Sequence, residues 1–421
     1  MLISTALVLL MTPAAGFFYG GLVRAKNALN TMMMCVGALA VVGVTWALVG
    51  YTLSFDGNAR WIGGLNNVLL NGVGLEAHGT IPHVLFMAFQ GTFAILTAVL
   101  IAGAIVERMR FGAYLAFIAA WSLVVYAPVA HWVWGGGWLA QLGVLDYAGG
   151  TVVHINAGIA AVIAAMVVGG RKDFGRQAML PHNVPFVLLG AGLLYFGWFG
   201  FNAGSALAAN GAAALAFTNT LLAPCAALGA WMALDAVRTR RATAVGAATA
   251  IVIGLVVITP AAGFVSPLSA LIMGALGAVP SYFAIVWRAR TRLDDSLDVL
   301  GAHGIGGMSG ALLTGVFADA KWGGTNGLLH GNPAQLGIQA IGVLATMVYA
   351  TVATFAVLKL IGLAMPLRAS VRGEGVGMDI TQHGEEAYTE GEGAVLVLHE
   401  DEESPVRHSR SQPVLAEAGA T

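Results

Sequence analysis

Eleven apolar runs follow one another from residue 2 to residue 363, most of them long enough, at about 20 residues, to cross a bilayer as a helix. That succession leaves a chain little freedom of fold. Read against charged and Gly/Pro breaks, the runs cover roughly 2–22, 30–52, 82–106, 112–133, 152–169, 185–202, 211–237, 243–259, 263–287, 302–317 and 335–363. They predict an all-α polytopic membrane protein of eleven transmembrane helices. A barrel would show short alternating segments instead. Composition excludes a soluble reading of the 421 residues: 58% are hydrophobic and only 10% charged, with a mean hydropathy of +0.79. The first run, "LISTALVLLMTPAAGFFYGGL", is too long for a signal peptide and has no basic stretch before it, so it reads as a span. Cys35 and Cys225 fall inside spans and read as small core residues. A net charge of -1 carries no signal for a nucleic-acid partner.

The connections orient the chain. Arg24, Lys26, Arg108, Arg110, Arg171, Lys172, Arg176, Arg238, Arg240, Arg241, Arg288, Arg290 and Arg292 fall in alternate loops, while the other set holds Arg60 and Lys321. The positive-inside rule then puts the N-terminus outside a cell membrane and the C-terminus, with Arg368 and Arg372, in the cytoplasm. Three regions are expected: a membrane domain over 1–364, an ordered cytoplasmic tail over 365–389, and an acidic, aromatic-poor, disordered extension over 390–421.

The fifth and tenth runs are short and glycine-rich, and each carries one histidine: His154 in "GGTVVHINAG" and His303 in "GAHGIGGMSG". If runs one to five and six to ten are two repeats, an odd number of spans makes them inverted relative to each other, with a final helix added. The histidines are then symmetry mates. A lone histidine at membrane depth can simply bond a neighbouring helix backbone, but a pair at equivalent repeat positions points to a polar pathway near the midplane.

The stretches "FFYGGLVRAKN", "AFQGTF", "AHWVWGGGW", "LDYAGGTVVHINAG", "WFGFNAGSA", "DDSLDVLGAHGIGG" and "DITQHGEEAY", in that order over about residues 2–388, resemble the ammonium transporter family (Amt/MEP, distantly Rh). The resemblance implies the ammonium transporter fold, a homotrimer with one pathway per subunit, no cofactor, and transport of ammonium or ammonia rather than enzymatic turnover. It assigns Trp134, Phe93 and Ser205 to an outer ammonium-recruiting site, Phe93 and Phe201 to a pair of stacked gating rings, and His154 and His303 to the pore. Asp146 is matched to a residue that holds the outer site in shape; as bare sequence it is equally a helix N-cap. Trp198, Tyr126, Gln90 and Asn202 match positions near the pathway. The tail "GMDITQHGEEAY" matches a segment that packs under the neighbouring subunit and supports docking of a PII-type signal protein. The pattern is departed from at both ends: the chain starts at Met1 inside the first span, which suggests a true start upstream, and it runs some thirty residues past Tyr388.

The residue types suit that chemistry. Indole and phenyl faces attract a cation, and a hydroxyl accepts an N–H. Taken singly, Trp134 is also a fair interfacial-belt residue and Phe93 a fair core residue. Neutral imidazoles offer donors and lone pairs to a relayed proton without adding fixed charge. Three rivals stand beside this reading: an ammonium sensor that conducts little, an Rh-like gas channel, and a water or glycerol channel suggested by "NPA" at Asn332 to Ala334. The last needs two such tripeptides and six spans. Trp134 together with Ser205 favours the ammonium branch over the Rh branch.

Overall fold

A computed structural model describes residues 1–57 and 59–388; the expected extension over 390–421 lies outside the described residues. Backbone polar groups in a bilayer must bond within their own segment, and these runs are apolar on nearly every side, so they form helices. Among the described residues, nine are long and apolar enough to cross a membrane. In chain order with two shorter apolar helices, they are helix 1 (Leu2–Leu22), helix 2 (Ala25–Phe55), helix 3 (His83–Ile105), helix 4 (111–133), helix 5 (Gly150–Val168), helix 6 (Val184–Gly204), helix 7 (Gly211–Arg238), helix 8 (Ala244–Ile258), helix 9 (Pro267–Arg288), helix 10 (300–317) and helix 11 (Ala334–Ala364). Helices 8 and 10 are the short ones. A small antiparallel pair, Ala77–His78 with Ile81–Pro82, precedes helix 3.

Most predicted boundaries stand within a few residues. Helices 2 and 9 are exceptions: helix 2 begins at Ala25, earlier than the expected 30, with a short 3-10 turn over Ala25–Asn27, and helix 9 begins at Pro267, later than the expected 263, because Ser266 caps it through Ser269 N–H and the ring of Pro267 suits a first helical position. The tripeptide at Asn332 lies just before helix 11, with Pro333 as its N-cap. Cys35 is buried, but Cys225 is exposed on helix 7, which corrects its reading as core: helix 7 is apolar on its outward face as well, so composition cannot say which side turns in.

Packing repeats along the chain. Helix 1 packs on 2 and 3 as helix 6 packs on 7 and 8; helix 2 packs on 3 and 4 as helix 7 packs on 8 and 9; helix 3 packs on 5 as helix 8 packs on 10. Helix 1 meets its own counterpart, helix 6, in the most extensive contact of the bundle, and helix 11 lies against both 5 and 10. Helices 5 and 10 touch through glycine. A Cβ on Gly158 would lie 2.4 Å from Gly304 Cα, and one on Gly307 would lie 2.9 Å from Gly150 O and 3.1 Å from His154 Cβ.

The tail forms two short helices, Val371–Val376 and Met378–His383, docked on this chain's own loops. Asp379 accepts Leu29 N–H (3.0 Å) and Asn30 N–H (2.7 Å) at the start of helix 2, and Glu374 accepts Lys172 N–H (3.0 Å) and an arginine bond from Arg368.

Candidate functional site

Helices 5 and 10 both open with a π-helical turn, Gly150–Ile155 and Leu300–Ile305, and each turn carries its histidine. Each is preceded by a buried aspartate. Asp146 accepts Gly149 N–H (2.8 Å) and Gly150 N–H (2.7 Å) on one oxygen, and Thr151 N–H (2.8 Å) and Val152 N–H (3.1 Å) on the other. Those donors have no partner within the helix, and a carboxylate also suits the positive end of the dipole. Asp295 does the same for Val299 N–H (3.1 Å) and Leu300 N–H (2.7 Å). Asp295 precedes His303 by the interval that separates Asp146 from His154. That repeated spacing was a sequence signal for Asp295, which the motif reading passed over.

The two imidazoles meet where the helices cross. Their Nδ1 atoms are 3.2 Å apart, and the rings are nearly parallel, 19° between planes. One Nδ1 must donate and the other accept, so the tautomers are coupled: one Nε2 carries a hydrogen and the other a lone pair. His154 Nε2 is buried without a protein partner. The ring of Trp198 stacks 5.4 Å from that of His154, and its N–H bonds Thr259 Oγ1 at 2.9 Å. Around the pair is a narrow lumen of about 20 Å³ walled by Met11, Phe18, Leu96, Leu100 and Leu194 among others, which is room for one small molecule.

On one side of the histidines the path is closed by Phe93 and Phe201, stacked with centroids 4.1 Å apart and almost fully buried. Beyond them an open vestibule of about 280 Å³ is lined by Phe55, Phe86, Gln90, Phe93, Val133, Trp134, Tyr147, Ser205 and Leu207. This is the aromatic mouth. Trp134 stands edge-on to Phe93 at 5.9 Å, and its N–H is held by Asp146 O at 2.9 Å. Ser205 donates its hydroxyl hydrogen to Phe201 O (2.9 Å), which leaves oxygen lone pairs to accept an N–H. The structure thus brings Trp134, Phe93, Ser205 and Gln90 to one cavity. Phe55, Phe86 and Tyr147 were missed because they come from three separate segments whose convergence only the fold reveals. Tyr126 is buried between Trp46 and Trp121, and Asn202 bonds Thr220 Oγ1 (2.9 Å) with Oδ1 unpartnered; neither lines the vestibule or the lumen.

On the other side of the histidines a larger cavity of about 590 Å³ opens among Phe18, Tyr19, Arg171, Arg288, Asp298 and His303. This is the arginine-rich mouth, braced by a buried ion network. Arg171 bonds Asp294 (2.8 Å) and Glu107 (3.1 Å); Arg24 bonds Glu107 (2.8 Å); Arg108 bonds Ser296 Oγ and Asp294 O (2.6 Å each). Burial opposes the charge of Glu107 and of Asp294, but Arg171, with Arg24 or Arg108, outweighs it and holds both below the usual carboxylate range. Asp146 differs: burial raises it, and its four N–H bonds only partly offset that.

The chain matches the family model described as "Ammonium Transporter Family" over residues 1–388. It is 45% identical over 394 residues to the ammonium transporter of Bacillus subtilis (strain 168), covering 92% of this chain and 97% of that protein. Its fold is similar to the crystal structure of Saccharomyces cerevisiae Mep2, with a TM-score of 0.81 and 35% identity over 88% of this chain and 89% of that one. It is also similar to a solved structure described as a sensor Amt protein, with a TM-score of 0.84 and 29% identity over 90% and 96% of the two chains.

Proposed function

This chain belongs to the ammonium transporter family, and from that premise we propose that ammonium is recruited at the aromatic mouth, deprotonated, and conducted past His154 and His303 as ammonia. The observation that carries this reading is the imidazole pair, 3.2 Å apart in an otherwise apolar lumen between two open cavities, with His154 Nε2 unpartnered. Cation–π attraction at Trp134 and Phe93 is worth roughly 0.5–2 kcal/mol. A charge at the bilayer midplane costs about 2.5 kcal/mol on the mildest scale and about 10 or more on others. Recruitment alone therefore cannot carry the ion through. Ammonium escapes the penalty by losing a proton, the bonding pair staying on nitrogen, which potassium cannot do. Ammonia then bonds the imidazole nitrogens, and the coupled tautomers relay the proton between the rings.

In the same reading all eleven helices cross the membrane, including the short helices 8 and 10. Spans one to five and six to ten form two inverted repeats, as their matching contacts suggest, and helix 11 completes the fold. The aromatic mouth faces outside and the arginine-rich mouth the cytoplasm of a cell membrane, as the positive-inside rule requires. Exposed apolar residues on helices 6, 7 and 9, such as Phe196, Phe217 and Leu276, suit lipid and the neighbours of a homotrimer. The tail, whose helices Val371–Val376 and Met378–His383 are docked on the loops, is the proposed site of regulation by a PII-type protein. The test is electrical: purified trimers in proteoliposomes are pulsed with ammonium, with potassium as control. Replacing both His154 and His303 with Leu should leave the fold intact and lower the current at least about a hundredfold, since a polar solute loses a few kcal/mol per unmet hydrogen bond. Wild-type current from the double variant would make the histidines structural.

The likeness to a sensor Amt protein supports one second reading, a receptor that binds ammonium and passes little. Saturable binding without current in the same vesicles would select it.

A further inference from the structure

We propose that His78 sets the affinity of the aromatic mouth for ammonium by acting through Phe86, and that protonating it weakens recruitment. This rests on the reading of that mouth as the ammonium site. The pair Ala77–His78 and Ile81–Pro82, turned at Gly79 with φ +64°, sits on the rim of the vestibule: Thr80 Oγ1 donates to the carbonyl of Leu207, itself a vestibule residue. The turn lays His78 against Phe86, ring centroids 4.4 Å apart and planes at 31°. Phe86 lines the cavity, so one phenyl ring separates the imidazole from the recruiting space. His78 also stacks on His83, 4.8 Å between centroids and 15° between planes, and His83 Nε2 is bound by the Tyr51 hydroxyl.

Two consequences follow from that stack. A proton on His78 turns a neutral ring into a cation pressed on the π face of Phe86, competing for the electron density that a second cation would use. It also adds like charge near the vestibule, where the field of one unit charge across about 8 Å of partly hydrated protein weakens cation binding about two- to fivefold. The titratable groups around His78 are Tyr51 from helix 2, Asp56 just after it, His83 from helix 3 and Glu76 from its own segment. Asp56 is engaged by Asn66, and the Glu76 carboxylate folds back over Gly74. Segment 205–210, which Thr80 holds, has no ionisable side chain. Burial and His83 keep His78 below the ordinary imidazole range, so the effect belongs to acid conditions, where ammonium itself stays fully protonated.

The experiment measures the half-saturating ammonium concentration for current in proteoliposomes at about pH 7.5 and about pH 5 on the aromatic side. Wild-type protein should need about two- to fivefold more ammonium at the lower pH, with little change in maximal current. His78→Gln should abolish the difference, and His78→Arg should show the weakened affinity at both pH values. A wild-type half-saturation that ignores pH overturns the inference without any variant. So does pH dependence retained in His78→Gln, or wild-type affinity in His78→Arg. Absence of any ammonium current in wild-type vesicles would instead count against the transport reading itself.

Discussion

The two mouths start from the same device and surround it differently. At each, a buried aspartate gathers the first N–H groups of a π-helical turn that leads to a histidine. Asp146 takes four such donors and faces rings; Asp295 takes two and stands beside Asp294, which is locked to Arg171 and Arg108. The cap is what the two halves share. What lies around the cap differs: aromatic faces at one mouth, and arginine–carboxylate pairs beside a wider cavity at the other.

The largest effect expected is at the arginine-rich mouth. Arg171→Met leaves Glu107 and Asp294 buried with too few partners, a loss of about 3–5 kcal/mol. Thermal unfolding of the detergent-solubilised protein should show it, and an unchanged melting temperature would mean that the network is slack. Next comes the cap itself. Asp146→Ala orphans four donors and should cost about 2–4 kcal/mol, against about 1–2 kcal/mol for Asp295→Ala with two. Equal costs would mean that the number of donors does not set the strength of the cap. Acid should then separate the mouths by sign. Glu107 and Asp294 are held low, so their contribution is present above the unfolded carboxylate pKa and is lost as pH falls through their depressed values. Asp146 is raised, so its contribution is fully present below the unfolded value and is lost as pH rises through its folded value. Hydrogen exchange, corrected for intrinsic rates, should show acid loosening around residues 107 and 171 but not at 149–152. The smallest effect is functional. Trp134→Leu should weaken apparent ammonium affinity several-fold, about 1 kcal/mol, without abolishing transport; a folded but silent variant would mean that the indole does more than attract.

The helices were legible because a bilayer demands one long apolar run per crossing, and the glycine-rich fifth and tenth runs are the ones that bring His154 and His303 together. The π-helical turns were not legible. They depend on which carbonyl each N–H chooses, and the same residues would read equally well as α-helix. The partners of Glu374 and Asp379 were hidden for a similar reason: both bond backbone N–H groups of Lys172, Leu29 and Asn30, which carry no sequence signature. Cys225 shows the remaining limit, since an apolar residue on an apolar helix gives no sign of which way it faces.

The glycine contact between helices 5 and 10 works as a ruler. Because Gly158 and Gly307 have no side chain, the two backbones close to a separation that places the Nδ1 atoms within 3.2 Å. One methyl group at either position would force the helices apart, and even a small displacement takes that hydrogen bond past its useful length. The spacing of the imidazole pair is therefore written in atoms the chain leaves out, because two bare α-carbons set how closely the rings can meet.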